Sequence, residues 1–562
     1  MVDLKAAPFG LSEKDIQWVS DVKASMTLDE KIGQLFCPIG YSADPDYLDH
    51  VILRHHIGGI LYRTGDAAEM QKTHRYLQKK SRIPLLIAAN LEAGGNGIAE
   101  NGTYFGKQMQ IAATGKKEYA YHLGRISCKE GAAVGCNWAF APVVDIDYNW
   151  RNPITNVRTY GSNPEQVLEM AKEFLRGAAE EHVAPAIKHF PGDGMDEVDQ
   201  HLLTSVNTMS CEEWDATYGK IYAELIAGGA LSVMVGHIAL PSYQKYFNPK
   251  TPDKLIPASL SKELLTDLLR GKLGFNGVIT TDATPMVGFC CAMKREDAVP
   301  WSITAGCDMF LFNKELSEDF EFMKKGYERG VLTEERLDDA LTRILGMKAA
   351  LKLHEKQAAG TLVPKENALS VLKCREHVAL AKSCADEAVT LVKDTQQLLP
   401  VSAEKYKKVL LEILGDFPSN EHVAETFKLE LEKNGFQVSL YEKENFESFH
   451  PDTRTFRDSY DLVIYIGNVE NASNKTTNRI NWYTFWGNGN NLPWFVEERP
   501  VVFVSLANPY HLIDVPMIKT YINGYSNNDY VIESVVEKLV GKSEFKGKSP
   551  VDPFLGKEYL KY

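Results

Sequence analysis

The chain has 562 residues, 44% of them hydrophobic and 24% charged, with a formal net charge of −13. That length exceeds one compact core and predicts two or three domains. The negative balance argues against a nucleic-acid partner, which would need clustered Lys and Arg to neutralise its phosphates; a small neutral or cationic partner is expected instead.

The opening segment MVDLKAAPFGLSEKD lacks the apolar run of a secretory signal. No stretch approaches the roughly 20 apolar residues that cross a bilayer, so no membrane association and a cytoplasmic address are expected. Nine cysteines, scattered from Cys37 to Cys384 without a C-x-x-C pair, read as free thiols. The adjacent Cys290 and Cys291 read as core residues and receive no function.

From about residue 25 to 350, short apolar runs alternate with longer helical patterns, the rhythm of parallel βαβ units. Seven runs read as buried strands: IGGILYR (57–63), IPLLIAAN (83–90), WAFAPVVDID (138–147), VAPAIKHF (183–190), ALSVMVGHI (230–238), GVITTDA (277–283) and CDMFLF (307–312). Between them, segments such as PEQVLEMAKEFLRGAAEEH (164–182) and KELLTDLLRGKLG (262–274) carry apolar residues at helical spacing. An eighth strand, near the first helix or before residue 130, would complete a (β/α)8 TIM-type barrel over residues 1–350. A helical stretch, 351–394, reads as a linker. Further runs at 389–394, 408–414, 436–442, 461–468 and 500–508 predict a smaller C-terminal three-layer α/β domain over 395–562.

Barrel enzymes place their chemistry at the C-terminal ends of the strands, and Asn90, Asp145, His189, His237 and Asp282 all end apolar runs. The segment KHFPGDGMDEVDQH (188–201) carries too many Gly, Pro and acidic residues to continue as a helix, so it must be a loop. Such a loop can leave the strand at Lys188 and His189 and bring Asp199 and His201 back over the barrel mouth. Two positions apart, a carboxylate can hold an imidazole and raise the basicity of its other nitrogen, making a proton donor and acceptor that works near neutral pH. Alone, the D-x-H spacing favours a surface Asp and His in a polar loop. Asp282, ending GVITTDA, can be a nucleophile for an anomeric carbon or a cap for the next helix. His237, ending MVGHI at a strand end, is grouped with the substrate-binding residues, and its other reading is a satisfied core histidine. The aromatic and Asn-rich stretch 478–494 can stack on sugars or cover an interface.

Taken together, these segments resemble glycoside hydrolase family 3, and its β-N-acetylglucosaminidase branch in particular. The branch pattern K-H-F-P-G-x-G-x-x-x-x-D-[ST]-H differs here only at Gln200. The nucleophile motif, similar to G-F-x-G-V-I-x-S-D-D, stands here as GFNGVITTDA (274–283), with Ala283 for the second acid. Further similarity lies in IGQLF (32–36), GGILYR (58–63), FAPVVDID (140–147), NVRTYGSNPEQV (156–167), PASLSKELLTDLLR (257–270) and SLANPYHL (505–512).

The resemblance implies Asp282 as nucleophile, Asp199 with His201 as the acid/base pair, and Arg158, Lys188 and His189 on sugar hydroxyls. Arg158 has a second reading, pairing with Asp145 to brace two loops. Where the family reads D-x-E-G-G-R, this chain has Asn90, Leu91, Glu92, Ala93, Gly94, Gly95 and Asn96. Asn90 brings no charge to the sugar, and Glu92 is placed to take part of that role.

The expected function is a retaining, exo-acting β-N-acetylglucosaminidase with a small carbohydrate substrate. No cofactor or metal is implied, because the Asp and His groups supply nucleophile and proton transfer. Phosphorolysis by the same residues, a different sugar such as glucose or N-acetylgalactosamine, and a non-catalytic sugar-binding protein are the alternatives. The smaller domain has two readings, completing the active site or mediating self-association as a homodimer.

Overall fold

The computed structural model describes residues 2–562 except 252–253, 416–417, 442–451, 486–487 and 490. Glu442, ending the expected strand 436–442, and Trp486, Gly487 and Asn490 of the aromatic stretch therefore lie outside the described residues. By its contacts the chain divides into two units: residues 1–105, 117–149 and 164–377 form the first, and 106–116, 150–163 and 378–562 the second.

The first unit is an all-parallel (β/α)8 barrel. Seven strands form one sheet in spatial order: β10 (Val278–Thr281), β8 (Ser232–Val235), β6 (Ala184–Phe190), β5 (Trp138–Ala139), β4 (Leu86–Ala89), β3 (Gly59–Tyr62) and β2 (Ile39–Gly40). The ring is completed by β1 (Phe36–Cys37) on β11 (Phe310–Leu311), with β11 joined to β10 by a parallel bridge from Met309 to Thr280. The expected eighth strand is thus residues 36–40, interrupted at Pro38, which has no N–H to give a ladder. Its carbonyl still accepts from Leu61 at 3.0 Å, so the first strand bends without leaving the barrel.

Outside the ring, helix Pro164–Glu180 buries Val167, Leu168, Ala171, Phe174 and Ala178, one stripe at helical spacing. Helix Glu334–Ala350 starts on Thr333, whose hydroxyl accepts the N–H of Arg336, and buries Leu337, Leu341, Ile344 and Leu345. Each such Leu, Ile or Phe contributes about 2 kcal/mol by leaving water.

The second unit is built on a six-stranded sheet ordered β12 (Thr390–Asp394), β19 (Thr520–Asn523), β18 (Val501–Ser505), β15 (Leu462–Gly467), β13 (Lys408–Leu414) and β14 (Gln437–Leu440). Only β12 runs antiparallel to its neighbour. Tyr465, Phe503 and Tyr521 stand side by side on three adjacent strands with nearly parallel rings, 6.2 and 5.3 Å apart, forming the centre of one core. Two pieces that lie early in the sequence belong here. Met109, Ala113 and Val157 are buried with Ala388, Tyr510, Tyr525 and Val551, and Asn471 and Asn478 donate to the carbonyls of Ile154 and Pro153, both at 2.9 Å. Helix Arg375–Ala388 carries the break between units at His377 and Val378, inside the stretch read as a linker, and β12 lies in that stretch too.

Candidate active site

The site is assembled at the C-terminal ends of β4, β6, β8 and β10. On β6 the register against β8 shifts between Ile187 and Phe190, and such a bulge re-aims side chains that a regular strand would send to opposite faces. Lys188 and His189 occupy it. Both find partners at the barrel mouth: Lys188 Nζ lies 2.5 Å from Glu92 Oε1, and His189 Nδ1 donates to Asp145 Oδ2 at 2.7 Å. Asp145, buried at the end of the fifth strand's run, also accepts the backbone N–H groups of His189 and Asp193 at 3.1 and 2.8 Å. Since a carboxylate only accepts, His189 carries its hydrogen on Nδ1. Its Nε2 is left facing Asp282 Oδ2 at 3.9 Å.

Asp282 follows β10, with its own N–H bonded to Val235 O on β8 at 2.8 Å and one carboxylate oxygen accepting the Ala283 N–H at 2.7 Å. Burial pushes this carboxyl up, but the imidazoles of His189 and His201 beside it and the Ala283 N–H outweigh burial, leaving it below its ordinary value. The group is therefore a carboxylate at neutral pH.

Asp199 and His201 lie on the loop between β6 and β7 (Ser205–Val206). Asp199 Oδ1 accepts from His201 Nδ1 at 2.7 Å and from the His201 N–H at 2.9 Å. That arrangement fixes the hydrogen on Nδ1 and makes Nε2 the nitrogen through which a proton can pass. Asp199 is buried, while the His201 ring is 24% exposed. A glycine in the loop, Gly194, has φ +98°, and a Cβ there would lie 1.9 Å from the Ile146 carbonyl oxygen, so the close approach of the loop to the fifth strand's run requires glycine.

His237, grouped with ligand-binding residues by its place at a strand end, is fully buried. Its Nε2 donates to the Ala283 carbonyl at 3.0 Å and its Nδ1 accepts from Ser259 Oγ at 2.8 Å. Burial lowers its pKa to about 4, so the ring is neutral and both nitrogens are engaged. The satisfied core histidine describes it, and its work is to hold the backbone next to Asp282.

Asn90 is exposed at the end of β4. The loop after it turns through Gly94 and Gly95, where a Cβ would lie 1.9 Å from Thr103 O and 2.1 Å from Glu130 Oε2. Glu130, buried in helix Glu118–Ala133, accepts from the Thr103 N–H and hydroxyl, both at 2.7 Å, and so anchors the loop that carries Asn90 and Glu92.

Arg158 belongs to the second unit, where its guanidinium donates to Ile154 O at 3.3 Å. Asp145, the alternative partner for Arg158, is engaged by His189 and Asp193. Cys290 and Cys291, read as core, are exposed at the end of the short helix Val287–Cys290 that follows Asp282, and all nine cysteines are free thiols. Among the described residues, the one cluster with metal-ligand spacing is Asp15, His354 and Glu355, and Lys352 Nζ already occupies Asp15 at 2.7 Å. Sequence reasoning did not single out Asp193, Ser259 or Glu130, and it named Gln200 only as the departure from the loop pattern. It named Asp145 only as a strand-end residue.

A closed parallel barrel with a carboxylate and imidazoles at its C-terminal mouth, followed by a second α/β unit, has the layout of a (β/α)8-barrel enzyme. The chain belongs to glycosyl hydrolase family 3: the model of that family's N-terminal domain matches residues 27–347. It is thus a family 3 glycosidase. A Cellulomonas fimi protein named β-N-acetylglucosaminidase/β-glucosidase is 44% identical over 99% of both chains. The solved structure of a β-glucoside phosphorylase, BglX, is 44% identical with a TM-score of 0.93 over 99% of both chains. A family 3 β-N-acetylglucosaminidase from Paenibacillus sp. shares the fold, with a TM-score of 0.80 at 24% identity over 94% of this chain and 99% of that one. No helix among the described residues is long and apolar enough to cross a membrane.

Proposed function

We propose that this glycosidase releases terminal β-linked N-acetylglucosamine with retention of configuration, through a covalent intermediate on Asp282. The observation that carries the reading is the Asp282 carboxylate at the barrel mouth, its pKa held below the ordinary value although it is largely buried, with His189 Nε2 3.9 Å from its Oδ2. In the first step His201, oriented by Asp199, gives its Nε2 proton to the glycosidic oxygen while Asp282 attacks the anomeric carbon. In the second, His201 takes a proton from water as water displaces Asp282. Lys188, Glu92, His189 and Asn90 hold sugar hydroxyls, and Asp145 fixes the His189 ring. The name of the Cellulomonas fimi relative supports the acetamido sugar and glucose alike, so β-glucosides are the competing substrate.

A second reading, phosphorolysis, is favoured by a specific pair of observations. The similar solved structure is named a phosphorylase, and the acid/base here is an imidazole, which repels an incoming phosphate less than a second carboxylate would. The two readings share Asp282 and differ in the acceptor. The test is turnover of the 4-nitrophenyl β-N-acetylglucosaminide and β-glucoside, with and without inorganic phosphate, by wild type and Asp282→Asn. Free N-acetylglucosamine in both buffers, with the variant slower by at least about 10³-fold, supports the hydrolase. Sugar 1-phosphate supports the phosphorylase. Preference for the glucoside overturns the sugar assignment, and an unimpaired variant overturns the mechanism.

A further inference from the structure

Within the loop pattern that marks the β-N-acetylglucosaminidase branch, this chain departs at one position, Gln200, where the pattern has Ser or Thr. Gln200 is buried, although it lies between the two members of the Asp199–His201 pair on a surface loop. Its Oε1 accepts the backbone N–H of His237, at the end of β8, at 2.6 Å. Its Nε2 makes a long contact, 3.5 Å, with Asp193 Oδ2, and the Asp193 N–H is itself bound to Asp145. The Gln200 carbonyl accepts from Gly288 N and the His201 carbonyl from Val287 N, both at 3.1 Å, tying the same turn to the helix that follows Asp282.

The loop is also fixed at its far end. β7 pairs with β9 (Ile238–Ala239), the continuation of β8 past His237, and Asn207 Nδ2 donates to Gly192 O at 3.1 Å. Between these anchors, Gln200 reaches from the loop to the end of a barrel strand. A Ser or Thr hydroxyl oxygen is bonded to Cβ, two bonds short of where a glutamine places its amide oxygen, and cannot span to the His237 N–H from the same backbone.

We infer that Gln200 is a positioning residue that presets His201 over Asp282 before substrate arrives, so that the acid/base loop is docked at rest and does not have to close on the substrate. The inference rests on the reading of His201 as the acid. A preset acid matters only to the extent that the leaving oxygen needs a proton, which separates positioning from general stability.

The test compares kcat/KM of wild type, Gln200→Ser, Gln200→Ala and His201→Ala on two N-acetylglucosaminides. One has a 2,4-dinitrophenyl leaving group, which departs without protonation, and the other an unactivated alkyl leaving group. Gln200→Ser and Gln200→Ala are expected to lose about 10- to 100-fold on the alkyl glycoside and less than about threefold on the dinitrophenyl one. Amide hydrogen exchange over 195–204 should rise in both. Equal losses on both substrates, or no loss, would overturn the inference while His201→Ala still discriminates. If His201→Ala itself fails to discriminate, the acid assignment has failed, and the inference with it.

Discussion

Two carboxylate–imidazole pairs stand at the barrel mouth, with the same 2.7 Å bond from Nδ1 and different surroundings. Asp145 and His189 are carried by strand ends, both are buried, and the remaining nitrogen faces the Asp282 carboxylate at 3.9 Å. Asp199 and His201 are two residues apart on a loop, and the ring is partly open to solvent. The pairing alone therefore does not define a role. A buried pair with its second nitrogen against a charge is suited to fixing geometry and field, whereas a pair whose ring is partly open to solvent is suited to passing a proton.

The sharpest way to break this comparison is to weaken each carboxylate in turn. Asp199→Asn should lower kcat/KM on an unactivated glycoside by about 10³-fold, roughly 4 kcal/mol, and spare a dinitrophenyl glycoside. Asp145→Asn should instead depress both substrates together and cost about 3 kcal/mol of folding stability, read by denaturant unfolding, because the amide oxygen can still serve the two backbone N–H groups but its NH2 faces the buried His189 Nδ1–H without accepting from it. If the two variants gave the same substrate profile, the distinction between the pairs would fall.

A third imidazole, His237, shows the case without a carboxylate partner. Its pKa is lowered to about 4 in the folded protein by burial and is about 6.5 when unfolded. Between those values the unfolded chain takes up a proton that the folded chain does not. Stability should therefore fall as pH is lowered through this window, by about 2 kcal/mol from this residue between pH 6.5 and 5. His237→Gln should flatten that slope in a series of unfolding curves. The smallest effect is expected away from all three rings: Asn90→Asp should change KM for the preferred sugar by up to about tenfold, about 1 kcal/mol, with kcat little altered.

Seven of the eight barrel strands were legible as apolar runs ended by polar residues. The eighth was not, because Pro38 cuts it into two pieces of two residues each, too short for any period to show. At the site, Asp282, Asp199 and His201 could be named because motif and strand-end position coincide. His237 has the same position, and its burial against Ser259 and Ala283, partners 22 and 46 residues away, is a tertiary fact that spacing does not encode. Gln200 was visible as one changed letter, but its reach to His237 was not. Cys290 and Cys291 looked apolar by neighbourhood, and the short helix after Asp282 turns them outward. Arg158 and its segment have no local sign of folding with residues more than 300 positions later, since what buries Val157 is Tyr510 and Tyr525.

That last feature bears on how the protein is made. The chain passes between the two units five times, at residues 105/106, 116/117, 149/150, 163/164 and 377/378. A ribosome adding roughly 5–20 residues per second releases Val157 about 20–70 s before Tyr510 exists to cover it. During that interval, while the rest of the barrel is still being added, the segments 106–116 and 150–163 await partners not yet synthesised. A polypeptide started at Val378 would lack them permanently, so the second unit is complete only as part of the whole translation product.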